Sequence, residues 1–461
     1  MGILAGFMVP HPPMIIPQVG RGSEERVKKT IRAYEEVAKQ IAALQPETIL
    51  ISSPHTVMYA DYFHISPGKR VKGSFADFGA PGVYFEEEYD TSLTEQIEEL
   101  AGKRHFPAGT MGERGKLLDH GTMVPLYFVH QKYRDFQLVR IGLSGLDLMK
   151  QYEMGQLIRE AVERTGRRAV YIASGDLSHK LQEYGPYGFA PEGPQYDERI
   201  MDVCSRAAFG ELFEFDENFC DKAAECGHRS FVMMAGAFDG QQVEARQLSH
   251  EDVTGVGYGI CAFYPKGPDA SRYFLKAYYR KAEEKLQTQK EQSDAYVKLA
   301  RKSLESFIRT GKRIEVSQDL PEEMLGKRAG VFVSIHEHGR LRGCIGTILP
   351  TTDCVAQEII QNAISASVRD PRFDPIREEE LKWLEINVDV LGEAEEIASE
   401  EMLDVKRYGV IVKSGYKRGL LLPDLDGVDT VSRQISIARQ KGGIGPEEPV
   451  TLQRFEVVRH F

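Results

Sequence analysis

The chain has 461 residues, which is long enough for two or three domains with sizeable cores. Its net charge of −11 argues against non-specific binding to nucleic acid or to an anionic membrane. No apolar run approaches the roughly 20 residues of a membrane span, and the start MGILAGFMVPHPP lacks the features of a secretory signal. Six cysteines without a CxxC pair are typical of a reduced protein, so a cytoplasmic location is expected.

Strand-like and helix-like segments alternate through residues 1–266. Ser23 is a plausible cap of the first helix, because serine oxygen accepts from free N–H groups there. Alternation of this kind predicts an α/β domain with a mostly parallel sheet flanked by helices. Strands are predicted at 2–9, 48–54, 136–143, 168–176 and 257–265, and helices at 23–44, 91–103 and 154–166.

A second, smaller domain is predicted at residues 293–461. The preceding segment, 267–292, opens with a Pro/Gly turn and becomes highly charged with helical spacing, which indicates a linker and a solvent-facing helix. Helices and strands then follow in α+β order rather than in strict alternation. The helices are predicted at 294–311 and near 353–367, and the strands at 329–346, 384–391, 408–412 and 418–422.

Ionisable residues gather where the strands of the first domain end. His11 stands among prolines after the first strand, and His55 follows Pro54 after the second. The carboxyl ends of parallel strands share one edge of a sheet, so these side chains can converge. Two histidines and a carboxylate suit a non-haem metal such as Fe(II), although a lone histidine in a turn is more often structural. Further candidates are Asp119, His120, Asp176, His179, Glu225, Cys226, His228 and Arg229.

Four segments of the first domain resemble a known family. HPP at 11–13, SPH at 53–55, DHGTMVPL at 119–126 and SGDLSH at 174–179 are similar to the class III extradiol ring-cleaving dioxygenases, which include the LigB-like catalytic subunit. The SxDxxH pattern within 174–179 and the Cys–Gly step at 226–227 also resemble the Memo proteins of the same superfamily. Together the motifs cover about residues 1–266.

The resemblance implies a site and an activity. His11, His55 and Glu225 would bind the metal, with Cys226 as the alternative ligand. His179 would be the catalytic acid/base, His120 would face the substrate or dioxygen, and Asp176 would orient a histidine. The implied cofactor is Fe(II), with Zn(II) or Mn(II) as alternatives. The implied reaction inserts dioxygen into a small catechol-like substrate; a zinc hydrolase and a Memo-like protein without ring cleavage remain alternatives.

The second domain carries its own motif. LRGCIG at 341–346 and DPRF at 370–373 resemble the AMMECR domain, and the match covers about residues 293–461. Arg342 and Cys344 could be a basic anchor and a thiol nucleophile, but a structural cysteine is the alternative because no histidine partner is identifiable. Memo-like and AMMECR-like proteins belong to the AmmeMemoRadiSam system, which implies a radical-SAM partner. The oligomeric state stays open, with a homo-oligomer as one alternative.

Overall fold

A computed structural model describes residues 2–337, 339–425 and 427–461. These residues form two compact units, of which the first ends at Tyr278 and the second begins at Tyr279. The expected domain limits, 266 and 293, lie on either side of this division and remain our proposal. Within the described ranges, no helix combines the length and the apolar character that a membrane crossing requires.

The first unit is built on a central sheet. Its strands are β1 (Gly2–Val9), β2 (Thr48–Ser53), β3 (Phe63–His64), β4 (Arg70–Phe75), β5 (Ala80–Glu88), β6 (Ala108–Gly109), β7 (Gln137–Gly142), β8 (Arg168–Ser174), β9 (Gln241–Glu251) and β10 (Tyr258–Pro268). Six of these strands form one sheet in the order β7-β2-β8-β1-β10-β9. The first four strands in that order are parallel to one another. Strand β10 is antiparallel to β1, and β9 is antiparallel to β10. The mostly parallel sheet predicted from the sequence is therefore confirmed.

Helices cover both faces of this sheet. The helices of the first unit are α1 (Pro17–Gly20), α2 (Lys28–Leu44), α3 (Thr91–Lys103), α4 (His120–Val129), α5 (Leu148–Thr165), α6 (Glu192–Ser205), α7 (Glu217–Ala223) and α8 (His228–Gly236), and α9 (Phe274–Gln292) spans the division between the two units. Short 3-10 helices lie at Pro13–Ile15, Ser23–Val27, Ala76–Phe78, Phe209–Glu214 and Ala270–Arg272. Helices α2 and α4 pack on one face of the sheet. There the rings of Tyr34 and Phe128 stack on each other and share one buried core with the strand residues Ile49 and Ile51. Every residue of β2 is buried, as expected for a strand covered on both sides.

The register brings three strand ends to one place. Val9 at the end of β1 pairs with Ser174 at the end of β8, and Ser52 of β2 pairs with Ala173 of β8. The segments that follow β1, β2 and β8 therefore leave the sheet at the same edge. This edge is where ligands bind in open parallel sheets.

The first unit differs from the expectations at the start of one helix and at one edge of the sheet. The helix predicted from Ser23 begins at Lys28, because residues 23–27 form a 3-10 turn after Gly22, whose φ is +104°. The edge strand β9 was not predicted, because its largely polar sequence QQVEARQLSHE lacks a clean apolar alternation. Pairing with β10 along its whole length is what makes β9 a strand.

The second unit is α+β, as predicted. Its elements are α10 (Ala295–Thr310), α11 (Glu322–Gly326), β11 (Val331–Glu337), β12 (Arg340–Gly346), α12 (Val355–Val368), β13 (Leu384–Leu391), β14 (Glu395–Ile397), β15 (Gly409–Ser414), β16 (Lys417–Leu421), α13 (Val431–Lys441), β17 (Thr451–Phe455) and β18 (Val457–His460), with 3-10 helices at Glu378–Trp383 and Glu400–Met402. Two antiparallel four-stranded sheets result, β12-β11-β13-β18 and β14-β17-β15-β16. Helices α10 and α12 share a buried core with the first sheet.

Candidate metal centre

The site is assembled from loops that follow buried strands. His11 lies just beyond β1, His55 just beyond β2 and Asp176 just beyond β8. Pro10 and Pro54 precede the two histidines, and proline cannot extend a strand by donating a further hydrogen bond. Each imidazole is thereby placed at the sheet edge rather than within the sheet.

The hydrogen bonds of His11 define its tautomer. Ser174 Oγ donates to the Gly121 carbonyl oxygen at 2.6 Å, so its remaining capacity is as an acceptor. His11 Nδ1 lies 2.9 Å from Ser174 Oγ, so Nδ1 carries a proton and donates it to this hydroxyl oxygen. The other ring nitrogen, Nε2, is then unprotonated and presents a lone pair. A histidine held in this way is oriented for metal binding through Nε2.

Three donor atoms surround one point. His55 Nε2 lies 3.0 Å from His11 Nε2, and Cys226 Sγ lies 3.7 Å from the same nitrogen. The ligand atoms of His11, His55 and Cys226 all lie within 4.8 Å of one another. Two imidazoles and a thiol at such separations fit a single transition-metal ion, with the sulfur favouring a softer metal than a carboxylate would.

Two glycines and Asp176 position Cys226. A Cβ on Gly175 would stand 2.1 Å from Gly227 Cα, so the chain after β8 and the chain around Cys226 touch backbone to backbone. Asp176 N–H donates to Cys226 Sγ at 3.3 Å, and the Asp176 carboxylate accepts from His11 N–H at 2.7 Å. Asp176 thus joins a histidine and a cysteine that are far apart in the sequence.

Glu225, the expected carboxylate ligand, does not join this group. Its Oε2 accepts from the backbone N–H of His228 at 2.6 Å, at the start of α8. It lines a separate small pocket together with Cys220 and Arg229. Neighbouring residues in an irregular segment face different directions, and here Cys226 faces the histidines while Glu225 faces away. The preference for Glu225 over Cys226 therefore disagrees with the geometry.

His120 lies against the histidine pair. Asp119 caps α4 by accepting from Thr122 N–H, which makes His120 the first residue of the helix. The His120 ring centroid is 3.9 Å from that of His55 and 5.4 Å from that of His11. The ring of Phe78 stands edge-on to His120 at 5.4 Å and forms an apolar wall beside it.

His179 faces the same cluster with an unused nitrogen. Its ring stacks on Tyr187 at 5.0 Å, and its Nε2 is buried without a hydrogen-bond partner among the described residues. Burial lowers the pKa of His179, whereas the nearby Asp176 carboxylate opposes that shift. A buried, unpartnered imidazole nitrogen at a site edge is suited to exchange a proton with a bound molecule.

The electrostatics keep the imidazoles neutral. Burial, followed by the neighbouring His55, lowers the pKa of His11 to about 3, and burial also lowers the pKa of His55. The pKa of His120 falls to about 3, mainly through burial. Burial raises the pKa of Asp176 to about 6 and that of the Cys226 thiol well above its usual range. Neutral imidazoles are the form that binds metals, and a thiol that is otherwise protonated loses its proton on binding.

Two supporting residues were missed by the sequence reasoning. Ser174, which fixes the His11 tautomer, left no signal because serine is common at strand ends. Arg140 did leave a signal, since it is a charged residue inside the apolar strand FQLVRIGL. Its side chain is fully buried, and its Nη1 lies 3.8 Å from Asp119 Oδ2.

The motif residues of the second unit are engaged with one another. Arg342 forms a two-pronged ion pair with Glu380, at 2.8 Å from Nε and 3.3 Å from Nη2. The Cys344 N–H donates to Asp370 at 2.9 Å, and the Cys344 carbonyl accepts from Arg372 at 3.1 Å. The DPRF segment therefore braces the LRGCIG strand. Arg342 and Cys344 belong to the second unit, whereas the metal-centre residues belong to the first.

Comparison with known proteins agrees with these two units. Residues 5–261 match the model of the catalytic LigB subunit of aromatic ring-opening dioxygenases, and residues 297–460 match that of AMMECR1. The chain belongs to the LigB family. It is a LigB domain followed by an AMMECR1 domain, which confirms the fusion indicated by the motifs. Membership of a dioxygenase-type family implies a small-molecule substrate and dioxygen.

Relatives that cover the full chain or about a third of it are known. A protein of Clostridium acetobutylicum is 41% identical over all of this chain and 99% of its own length. A protein of Thermotoga maritima is 49% identical over 36% of this chain and 96% of its own length. The crystal structure of an uncharacterized Pyrococcus horikoshii protein is 32% identical, with a TM-score of 0.35, and covers 37% of this chain and 91% of that one.

Proposed function

We propose that the LigB domain is a metal-dependent oxidoreductase of the dioxygenase type whose metal is bound by His11, His55 and Cys226. The observation that carries the proposal is the convergence of their three ligand atoms within 4.8 Å. The hydrogen bond that leaves His11 Nε2 unprotonated supports it. The expected metal is Fe(II), and the expected substrate is a small catechol-like molecule.

The residues around the metal have separable roles in this proposal. Fe(II) bound there would supply the redox chemistry that lets dioxygen react with the substrate. The free Nε2 of His179 accepts a proton from a substrate hydroxyl and returns it to the product. His120 presents a neutral imidazole beside the substrate, and Phe78 shields that side with an apolar ring. Asp176 holds His11 and Cys226 in place.

A second candidate follows from the sulfur ligand. A cysteine thiolate in place of a carboxylate favours Zn(II), and a zinc site would not support dioxygen chemistry. The domain would then be a Memo-like metal-binding protein that acts with a radical-SAM partner and does not cleave rings. A zinc hydrolase could use the same three ligands. The identity of the third ligand and of the metal separates these alternatives.

The test uses two variants at adjacent positions. The full chain, Cys226→Ser and Glu225→Gln are purified without oxygen, and their metal content is measured by mass spectrometry. Nitric oxide is then added, and the electron paramagnetic resonance spectrum is recorded. We expect one equivalent of iron and a high-spin iron–nitrosyl signal that Cys226→Ser loses and Glu225→Gln keeps. Buried Cys261→Ser is the control for loss of a thiol outside the site.

Two outcomes would redirect the proposal. Retention of metal by Cys226→Ser together with its loss from Glu225→Gln would show that the ligand set is wrong. Stoichiometric zinc, no nitrosyl signal and no oxygen uptake on a panel of catechols would favour the second candidate. Recovery of a radical-SAM enzyme by affinity purification with the full chain would then support the partner that this candidate requires. Cytoplasmic location and any homo-oligomer remain predictions.

A further inference from the structure

The first turn of α4 packs against the loop that carries one of the proposed metal ligands. Asp119 caps this helix, and His120 is its first residue. A Cβ on Gly121 would stand 2.3 Å from Ser53 Oγ and 3.3 Å from His55 Cδ2, so helix and loop are in direct contact. The positions of the His55 and His120 rings are therefore set together.

The Asp119 carboxylate joins that loop to the helix by hydrogen bonds. Its Oδ1 accepts from Ser53 Oγ at 2.9 Å and from Thr122 N–H at 3.0 Å. Its Oδ2 accepts from Thr56 Oγ1 at 2.8 Å and from Thr122 Oγ1 at 2.9 Å. Ser53 Oγ in turn accepts from the backbone N–H of His55 at 3.1 Å. Residues on both sides of His55 are therefore held by one carboxylate.

Asp119 is held in its charged form. A carboxylate that accepts these four hydrogen bonds has used its acceptor sites and leaves no place for a proton of its own. Its side chain is 8% exposed, and Arg140 Nη1 lies 3.8 Å from Oδ2. Burial acts to raise the pKa of Asp119, but the Arg140 guanidinium and the hydroxyl hydrogen bonds outweigh burial and hold the pKa below its usual value.

His11 is connected to the same turn of α4 from another direction. Its Nδ1 donates to Ser174 Oγ at 2.9 Å, and Ser174 Oγ donates to the Gly121 carbonyl at 2.6 Å. Cys226 is held differently, because its Sγ accepts from the backbone N–H of Asp176. The turn therefore bears on both imidazole ligands, whereas Asp176 bears on the sulfur.

We propose that Asp119 is a positioning residue of the metal site. It fixes the His55 loop against α4 and so sets the separation of His55 from His11 and from His120. This role rests on the proposed function and is the same for iron and for zinc. Residues that are hydrogen-bonded around metal ligands change metal affinity about 10–100-fold when they are replaced.

The opposite end of β2 carries a similar carboxylate away from the site, which supplies a matched control. Asp90 caps α3 by accepting from Leu93 N–H at 3.0 Å, and it also accepts from Thr48 Oγ1 at 2.6 Å. Arg167 Nη2 donates to it at 3.2 Å. Asp90 thus resembles Asp119 in burial, helix capping, a hydroxyl bond to β2 and an arginine partner, but it lies at the amino end of the strand.

The experiment titrates Co(II) into the metal-free full chain without oxygen and records the absorption spectrum. The d–d bands report the geometry around the ion, and a thiolate-to-cobalt charge-transfer band reports Cys226. Asp119→Asn keeps the size of the side chain but loses its charge and half of its acceptor capacity. Thr56→Val removes one hydrogen bond and leaves the carboxylate in place, and Asp90→Asn is the matched control. Urea unfolding measures the stability of each variant.

We expect Asp119→Asn to bind Co(II) about tenfold more weakly, with altered d–d bands and an unchanged thiolate band. Thr56→Val should act in the same direction by a smaller amount. Asp90→Asn should lower the stability and should bind Co(II) as the unmodified chain does.

Two results would overturn this role and leave the proposed metal site intact. One is an Asp119→Asn variant whose Co(II) affinity and d–d bands match those of the unmodified chain; the other is a loss of affinity that Asp90→Asn reproduces. If Asp119→Asn does not fold, Thr56→Val decides in its place. If the unmodified chain lacks the thiolate band, or if Cys226→Ser keeps it, the proposed metal site itself is wrong and the role of Asp119 falls with it.

Discussion

The two motif clusters of this protein differ in how far their polar groups are satisfied. In the AMMECR1 domain, Arg342 is paired with Glu380, and Arg372 is paired with Asp370, which also accepts from the backbone N–H of Cys344. In the LigB domain, His179 has a buried nitrogen that no group of the described residues contacts by a hydrogen bond, and His11 Nε2 faces only His55 and Cys226.

This difference separates a structural role from a ligand-binding one. Polar groups that satisfy one another stabilise a particular backbone arrangement and leave little capacity for a ligand. Polar groups that are buried and left open cost stability, and a fold tolerates them where a metal or substrate completes them. The comparison therefore supports the proposed metal site in the LigB domain and a bracing role for the LRGCIG–DPRF cluster. Four changes test this contrast.

The largest effect is expected from His11→Ala. Removing the central imidazole should reduce bound metal from about one equivalent to almost none, because two donors hold a transition metal poorly. Metal content by mass spectrometry is the measurement, with exposed His105→Asn as the control. Metal retained at full stoichiometry would show that His11 is not a ligand and would remove the contrast between the clusters.

Gly175→Ala should damage the same site through the backbone. Its new Cβ would stand 2.1 Å from Gly227 Cα, so the chain bearing Cys226 must move away from the histidines. We expect a loss of about 1–3 kcal/mol of stability from overpacking, together with weaker metal binding. The matched control is Gly102→Ala in α3, where a Cβ meets nothing within 4 Å and should be neutral or stabilising. Unchanged metal affinity in Gly175→Ala would contradict the role of this contact.

Arg342→Ala should act on stability alone. The guanidinium and the Glu380 carboxylate are each less than one-fifth exposed, so losing the pair should cost about 2 kcal/mol. Urea unfolding of Arg342→Ala, Glu380→Gln and the double variant gives their coupling energy. Metal content should stay the same in all three. If Arg342→Ala kept the full free energy of unfolding but lost the binding of a ligand, the result would instead favour Arg342 as a basic anchor.

The smallest effect concerns the pH dependence of the Asp370–Arg372 pair. Hydrogen bonds from Arg372 hold the pKa of Asp370 well below its usual range, so the folded state favours the charged carboxylate. The stabilisation is therefore complete above the unfolded pKa of about 3.9 and is lost as pH falls toward the folded pKa. We expect about 1 kcal/mol, because Arg372 is half exposed and the pair is screened.

The measurement for this pair is the unfolding free energy of the chain and of Asp370→Asn between pH 3 and pH 7. The difference between them should be constant from about pH 7 to 5 and should shrink below about pH 4. A difference that instead changes between pH 5 and pH 7 would show that another group controls this cluster.

Much of the fold followed from local pattern. The buried strands 2–9, 48–53 and 168–174 and the helix 91–103 were predicted within a few residues, because apolar periodicity and proline positions are local signals. The edge strand β9 and the β4–β5 hairpin were not predicted, since polar edge strands depend on their pairing partners. The same limit applies to Arg140, whose burial beside Asp119 depends on a distant loop.

By itself, the sequence determined the two domains, the family and the convergence of His11, His55, Asp176 and His179 on one sheet edge. These conclusions rest on motifs and strand ends, which are local or follow from parallel pairing. Only the tertiary structure decided that Cys226, rather than its neighbour Glu225, faces the histidines. The deciding contact is the backbone approach of Gly175 to Gly227, which joins segments 52 positions apart and which no local pattern encodes.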